Sequence, residues 1–432
     1  MILMNFLGFF TLLVVAWLLS SNRKVVNWRV VCWGLILQII FAFFVFVVPA
    51  GTDFFLVVNK VVLSILDSAT AGTIFLFGRL ALAPGSVNSS GETSLGFFLA
   101  LQALPTIIFF AALVGILYYL GIMQKIIKIF AYAFTRLMRI SGAESLCAAS
   151  NIFVGVESAL VIRPFLLKMT RSELCTILTA GMATVASSML AVYIFMLKVK
   201  FPTIAGHLVS ASIMNAPSAI VMSKLLLPET DTPETLGQHV RFAYEKESNL
   251  ITAIINNANS GIKLVVGICA LLLAFLGLMA LVDKISVLAG GFLNDWFGIQ
   301  VDWTLKGLLG YFFYPFTLLI GIPFSDAGAI SKIIGERLIV TEVTAFQDLA
   351  NLLNSGVIIS PRSVVITTYA LTGFAHIASL AIFVGGISAL VPERLKDLSQ
   401  LGFRALLGAT LANLMTACIA GFFYTDSSIL LN

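Results

Sequence analysis

The sequence predicts an all-α polytopic membrane protein with eight transmembrane helices, two re-entrant hairpins and an inverted internal repeat. Three observations lead there: the composition, a series of long uncharged windows, and a short motif that occurs twice. Hydrophobic residues make up 59% of the 432 residues and charged residues 11%, against roughly 25% charged in a typical soluble domain. So few charges cannot clothe a water-soluble surface of this size. That excludes a disordered chain, a collagen-like rod, a disulfide-stapled module and a nucleic-acid-binding protein. The net charge of +5 implies no acidic partner. Five scattered cysteines (Cys32, Cys147, Cys175, Cys269, Cys418) sit in apolar stretches without metal-ligand spacing and read as small core residues.

A helix needs about 20 apolar residues to cross a bilayer. Eight windows free of Lys, Arg, Asp and Glu reach that length: 2–21, 30–50, 95–122, 174–197, 201–223, 264–282, 364–391 and 405–425. The first has neither a basic start nor a small-residue cleavage site, so it reads as a span and not a cleaved signal. Basic clusters order the loops: Arg23, Lys24 and Arg29; Lys125, Lys128, Arg136 and Arg139; Arg163, Lys168 and Arg171; Arg394, Lys396 and Arg404. With both termini outside, all four fall on the cytoplasmic side, as the positive-inside rule requires. Lys198 and Lys200 break the pattern.

Three kinds of apolar stretch do not read as plain spans. In 52–78, Asp53, Lys60 and Asp67 line one face of an otherwise apolar helix, which suits a helix lying in the interface. The segment 307–325 is uncharged but interrupted by Gly310, Pro315, Gly321 and Pro323. The segments 140–168 and 325–350 carry Glu144, Glu157, Arg163 and Pro164, and Asp326, Lys332, Glu336, Arg337 and Glu342. Neither can cross lipid as one helix, and each suits a re-entrant hairpin with its tip buried in protein.

The repeat is G-x-A-x-[VI]-A-S, at Gly181–Ser187 and again at Gly373–Ser379, each preceded by an Arg-Ser pair (Arg171-Ser172, Arg362-Ser363). Downstream, Ala211-Ser212-x-x-Asn215 echoes Ala409-Thr410-x-x-Asn413. The two copies share one order of elements and run in opposite senses, the pattern of secondary transporters with a midplane site between the repeats. The chain divides accordingly. Residues 1–139 form scaffold spans one to three with interfacial helices, and 140–227 the first transport half (hairpin one, spans four and five). Residues 228–303 form a loop, an interfacial helix and scaffold span six, and 304–432 the second transport half (hairpin two, spans seven and eight).

Glu157 and Glu342 stand near the hairpin tips among strongly apolar residues. A carboxylate there is expensive to insert, about 2.5–3.5 kcal/mol on the insertion scale, so its presence points to use: accepting hydrogen bonds from a polar substrate, or a salt bridge to Arg163 or Arg337. Glu144 and Glu336, beside basic residues at the hairpin bases, read as structural. His376 lies inside the second motif copy and is the natural proton-sensitive group. Asn151, Thr184 and the carbonyls of Val154 and Val185 offer the neutral oxygen donors that suit a hard cation such as sodium.

At these residues the chain resembles the concentrative nucleoside transporter family. The resemblance rests on Asn151-Ile-Phe-Val-Gly155, Arg163-Pro-Phe, Met169-Thr-Arg-Ser-Glu-Leu174, Pro228-Glu-Thr and Gly335-Glu-x5-Glu342. It continues through Tyr369-Ala-Leu-x-Gly-Phe-Ala375, Pro392-Glu-Arg and Met415-Thr-Ala-Cys-Ile-Ala-Gly421, and covers about 95 to 425. It implies a homotrimer in the inner membrane, each protomer a scaffold plus a moving transport domain around a nucleoside. Carried over, Glu157 faces the base, Glu342 and Ser379 hold the ribose hydroxyls, and Phe374 and Met189 line the pocket. Asn151, Val154, Thr184 and Val185 fall at the sodium site. The departures are at the same places. Gly155-Val156-Glu157 is one residue shorter than the family tip and lacks its Gln, Thr341 replaces an Asn, and His376 replaces the ribose-facing Asn.

The reading is therefore a secondary active nucleoside importer with no cofactor, coupled to sodium, by an elevator-type alternating-access mechanism. Its alternatives are proton coupling, with a nucleoside, modified nucleoside or bare base as substrate, and a passive channel. An intramembrane enzyme is disfavoured: there is no HExxH, no paired Asp in the spans and no Ser/His or Cys/His dyad.

Overall fold

The structure is a computed structural model that describes residues 1–87, 91–240, 242–243, 247–358 and 360–425. Among these residues it is helical throughout, with two isolated β-bridges and no strand. The all-α expectation holds.

The peripheral elements come first. Helices α1 (Ile2–Leu18), α2 (Trp28–Phe46) and α3 (Pro49–Phe77) are followed by the short α4 (Leu99–Gln102) and by α5 (Pro105–Tyr119). Amphipathic α6 (Ile122–Ala133) runs into a π-turn, Phe134–Met138. Asp53, Lys60 and Asp67 are all exposed on one side of α3, as their spacing requires.

Two assemblies then repeat the same order of hairpin, broken helix and continuous helix. In the first, α7 (Gly142–Asn151) descends to a turn and returns as a 3-10 stretch, Val156–Lys168. Pro164, lacking an N–H and crowding the preceding turn, opposes a regular α-helix there. Next come α8 (Arg171–Ala183), α9 (Ser187–Leu197) and α10 (Ile204–Leu226). The long α11 (Leu250–Phe297) and α12 (Leu305–Leu319) connect to the second assembly: α13 (Phe324–Ile339), α14 (Glu342–Asn354), α15 (Pro361–Leu371), α16 (Ile377–Leu390) and α17 (Leu395–Phe423).

Two windows expected as single spans are each two helices. The stretches 174–197 and 364–391 break at Thr184–Ala186 and Thr372–His376, the first inside its copy of the repeated motif and the second beginning one residue before its copy. Conversely, where a separate interfacial helix and span were expected within 228–303, α11 is one uninterrupted helix of 48 residues. At 1.5 Å per residue it is about 72 Å long, more than twice a hydrocarbon core. Its interior charges Lys263, Asp283 and Lys284 are compatible with helix, so nothing in the chain stops it. Pro315 does not end α12 either; the turn comes at Gly321, whose φ of +88° is glycine territory.

Among the described residues, seven helical stretches are long and apolar enough to cross a membrane, including Pro49–Ala81, while α1 and α16 are apolar but shorter. Burial separates them. The α10 span window is 89% buried and that of Pro392–Phe423 83%, against 11% for α11 and 17% for Pro49–Ala81. The core is therefore made of the two repeated assemblies, with α11 and α3 on its rim.

Candidate functional site at the two helix breaks

A broken helix leaves its last carbonyls without partners, and burying them bare is costly. Here asparagines supply the donors. Asn413 Nδ2, on α17, donates to Ala183 O at the end of α8 (2.8 Å) and to Thr372 O at the end of α15 (2.6 Å). Asn215, at the matching position of α10, donates to the same Thr372 O at 2.5 Å. The fully buried Arg337 adds a donor to Ala370 O at 2.7 Å, a cation at the negative end of α15. Gly373 admits this crowding: a Cβ there would lie 2.4 Å from Asn413 Oδ1. The two breaks touch, Phe374 N donating to Thr184 O at 3.4 Å.

The tip of the second hairpin closes on the second break. Thr341 caps α14, its hydroxyl accepting from Thr344 N, and Glu342 follows as the first helical residue, where the helix dipole favours an anion. Glu342 is fully buried. The Tyr193 hydroxyl of α9 donates to its Oε1 at 2.5 Å, and His376 Nε2 lies 2.9 Å from its Oε2. Tyr193 is itself fixed by stacking on Phe346, centroids 4.3 Å apart. His376 is the N-cap of α16. Its Nδ1 accepts from Ser379 N at 3.2 Å, while His376 N donates to Ser379 Oγ at 3.1 Å, a reciprocal capping box. With the Nδ1 lone pair occupied, the ring proton belongs on Nε2, on the Glu342 side of the ring, though not in hydrogen-bond geometry with Oε2. Phe374 packs edge-on against the imidazole at 4.6 Å.

The first hairpin tip meets the first break. Phe153 O accepts both Ser187 N (2.9 Å) and Ser187 Oγ (2.8 Å), joining the turn after α7 to the start of α9. Asn151 is fully buried, its Oδ1 accepting from Ser158 Oγ at 2.9 Å; Thr184 Oγ1 donates to Ala180 O at 2.8 Å. Val154 and Val185 are in non-helical backbone, so their carbonyls stand outside the helical ladders. The donor set is thus amide, hydroxyl and carbonyl oxygen, uncharged and hard, which fits an alkali cation.

The sequence-predicted residues do not all share one environment. Glu342, Thr341, His376, Ser379, Asn151, Thr184, Val185 and Met189 are buried, and Phe374 and Val154 half-buried. Glu157 is exposed; its carboxylate and the Ala186 methyl flank Gly155, beside the first break. No contact joins Glu157 to Glu342, and neither Glu157–Arg163 nor Glu342–Arg337 forms an ion pair among the described residues. The Val156 side chain lies outside what the structure describes. Glu144 and Glu336 pair with Lys224 (2.8 Å) and Lys306 (2.6 Å), as their basic surroundings suggested. Sequence reasoning missed Tyr193 and the carbonyl-binding role of Arg337, Asn215 and Asn413. The echoed A-[ST]-x-x-N was the one signal for the asparagines; Tyr193 sits in a plainly apolar run and had none.

Comparison with known proteins follows the same residues. Residues 207–421 match the family model described as Na+ dependent nucleoside transporter C-terminus, and 7–80 its N-terminal counterpart. Residues 100–200 match a gate model described as nucleoside recognition. The chain is 37% identical to an uncharacterized transporter of Haemophilus influenzae over 98% of both proteins. It is 35% identical to the nucleoside permease NupC of Helicobacter pylori, over 98% of this chain and 97% of that one. Solute carrier family 28 member 3 of Rattus norvegicus is 36% identical over 100% of this chain and 60% of its own length. The structure of CNTnw in an inward-facing substrate-bound state is similar with a TM-score of 0.86, at 35% identity over 98% of each chain. A CNTnw variant in an outward-facing state is equally similar, with a TM-score of 0.86. These relatives are transporters and not enzymes, and with its apolar helices this is a multi-pass membrane protein. The chain belongs to the family of concentrative, Na+-dependent nucleoside transporters.

Proposed function

We propose that this protein is a sodium-coupled nucleoside importer of the inner membrane, working as a homotrimer by elevator-type alternating access. The observation that carries the substrate assignment is the setting of Glu342. It is a fully buried carboxylate at a hairpin tip, against a helix break, with the Tyr193 hydroxyl donating to Oε1 and, among the described residues, no hydrogen-bond donor on Oε2, although His376 Nε2 lies 2.9 Å away. Each carboxylate oxygen accepts two hydrogen bonds. The acceptor capacity left over, all of it on Oε2 and part of it on Oε1, is enough for the two vicinal hydroxyls of a ribose, with Ser379 and Thr341 as the further polar groups of this reading. Glu157, more open, faces the base together with Val156, while Met189 and Phe374 provide apolar walls. These roles follow the family resemblance, and His376 and Thr341 take the places of amides within it.

In this reading the two hairpins are re-entrant and eight helices span the bilayer, α8–α9 and α15–α16 each counting as one. The transport domain comprises 140–227 and 304–432, consistent with the deep burial of α10 and α17. The scaffold comprises 1–139 and 228–303, with α3 and part of α11 along the interface. Asn151, Val154, Thr184 and Val185 bind the sodium ion. Sodium is favoured over proton coupling because Asn151, Val154, Thr184 and Val185 offer several neutral oxygen donors, whereas a proton reading rests on His376 alone. Uptake of labelled nucleoside into liposomes under separately imposed gradients tests the reading. Accumulation driven by sodium at fixed pH supports it; accumulation driven by protons without sodium replaces it with the proton-coupled alternative.

A further inference from the structure

At the orientation proposed above, a second feature lies on the cytoplasmic side, away from the helix breaks. A cavity of about 770 Å³ opens between the start of α2, the π-turn that ends α6, and the loop after α10. Arg29, Arg136, Arg139 and His239 line it together with Asn27 and Thr135, and among the described residues no acidic side chain does. None of the three arginines has an ion-pair partner among the described residues, although other cations of this chain do find theirs. Lys224 engages Glu144 and Glu229 in the cavity behind Arg139. Three unpaired guanidinium groups around one hollow repel one another unless an anion joins them, and their planar forks suit phosphate oxygens.

The hollow is held by its own contacts. Arg29 Nε donates to Leu137 O at 3.2 Å, tying the first turn of α2 to the π-turn. Arg139 follows that π-turn at φ 53°, the sole non-glycine residue with positive φ among those described. A π-turn and a left-handed arginine in succession turn the chain so that Arg136 and Arg139 both reach the cavity, an arrangement regular helix does not offer. The His239 ring is held by stacking on Tyr132, centroids 4.9 Å apart.

The surroundings indicate what carries the anion. Trp28 is 58% exposed and Tyr132 55%, aromatic residues of the kind that mark the headgroup level of a bilayer. Ile36, Ile39 and Ile40 lie exposed further along α2, and Ile122 and Ile129 along α6. A free phosphate gains nothing from such apolar faces, whereas acyl chains lie along them. We propose that this pocket binds the phosphate of an anionic phospholipid headgroup, anchoring the cytoplasmic end of α2 and α6 to that lipid. Basic pockets between helix ends on this side of a membrane are suited to such headgroups.

The test uses the full-length protein purified in neutral detergent, titrated with phosphatidylglycerol, phosphatidylcholine or inorganic phosphate and followed by thermal unfolding and native mass spectrometry. Phosphatidylglycerol is expected to raise the unfolding temperature and remain bound, and the other two to do neither. Arg136→Gln should weaken phosphatidylglycerol binding about fivefold and Arg136→Gln with Arg139→Gln about 25-fold, following roughly 1 kcal/mol per cation near an anionic surface. Arg163→Gln, an exposed arginine outside the pocket, should leave it unchanged. Equal lipid binding by wild type and the double variant overturns the site. Competition by millimolar inorganic phosphate overturns the lipid assignment in favour of a soluble phosphate. Arg136 and Arg139 are exposed, so the variants fold, and cooperative unfolding without lipid checks it. No nucleoside enters the assay, so its failure leaves the transport reading to its own experiment.

Discussion

Glu342→Gln removes a charge and an acceptor from a position that water does not reach. Tyr193 donates to one carboxylate oxygen at 2.5 Å, and His376 Nε2 stands 2.9 Å from the other. His376 cannot invert its tautomer without losing the Ser379 N–H from Nδ1. The amide must therefore turn its carbonyl to His376 and its NH2 to Tyr193, whose hydroxyl accepts as well as donates. The Tyr193 hydrogen bond survives without charge assistance, a loss of roughly 1–3 kcal/mol in stability. The ligand fares worse. The amide nitrogen offers no lone pair, so one of two hydroxyl contacts disappears outright. A charge-assisted hydrogen bond is worth roughly 1.5–3 kcal/mol, or about 10- to 150-fold in Kd. Calorimetric titration of nucleoside at saturating sodium measures that change, with thermal unfolding followed in parallel. A variant that unfolds cooperatively near the wild-type temperature and binds with unchanged affinity would refute Glu342 as the ribose acceptor.

Other perturbations test the surrounding parts. Asn151→Ala removes one neutral oxygen and should raise the sodium concentration for half-maximal uptake about fivefold, for roughly 1 kcal/mol; an unchanged sodium curve excludes Asn151 as a ligand. His376→Asn keeps a side chain able to cap α16 but loses the contact to Glu342, so it should lower stability by about 1–3 kcal/mol and leave sodium as the driving ion. Loss of a proton-driven component in that variant would favour proton coupling instead. Asn413→Ala strips donors from Ala183 O and Thr372 O, the latter keeping Asn215, and should cost about 2–3 kcal/mol in thermal unfolding. Lys224→Met leaves Glu144 buried without its cation and should cost about 3–5 kcal/mol; a near-neutral result would mean that Glu144 takes up a proton instead.

The reach of the sequence differs from element to element. The hairpins were legible because charges and a proline in 140–168 and 325–350 conflict with a lipid-crossing helix, and both segments do fold as helix–turn–helix pairs. The repeated G-x-A-x-[VI]-A-S pointed to a special place without saying that the helix breaks there. The motif contains nothing that forbids helix, and the breaks depend on Asn215, Asn413 and Arg337 receiving the freed carbonyls. The continuity of α11 was hidden for the opposite reason. Its scattered charges resemble a boundary in a hydropathy window, yet Lys263 and Lys284 face outward on the rim of the protein, Asp283 accepts from Leu305 N at 2.7 Å, and none interrupts the helix.

What the sequence determined by itself is therefore what local patterns carry: a helical membrane protein, the position of its apolar windows, its basic loops and the candidate carboxylates at two hairpin tips. These depend on composition and on neighbours within a few turns. Only the tertiary structure decided that Glu342 is sealed in and Glu157 left open, because burial and partnership are set by segments distant along the chain. Tyr193 is 149 residues from Glu342, and Asn413 is 230 from the carbonyl it supports at Ala183. The same holds for His376. Its sequence position suggested a titratable group near a sugar, whereas packing gave one ring nitrogen to a helix cap and turned the other toward the buried carboxylate.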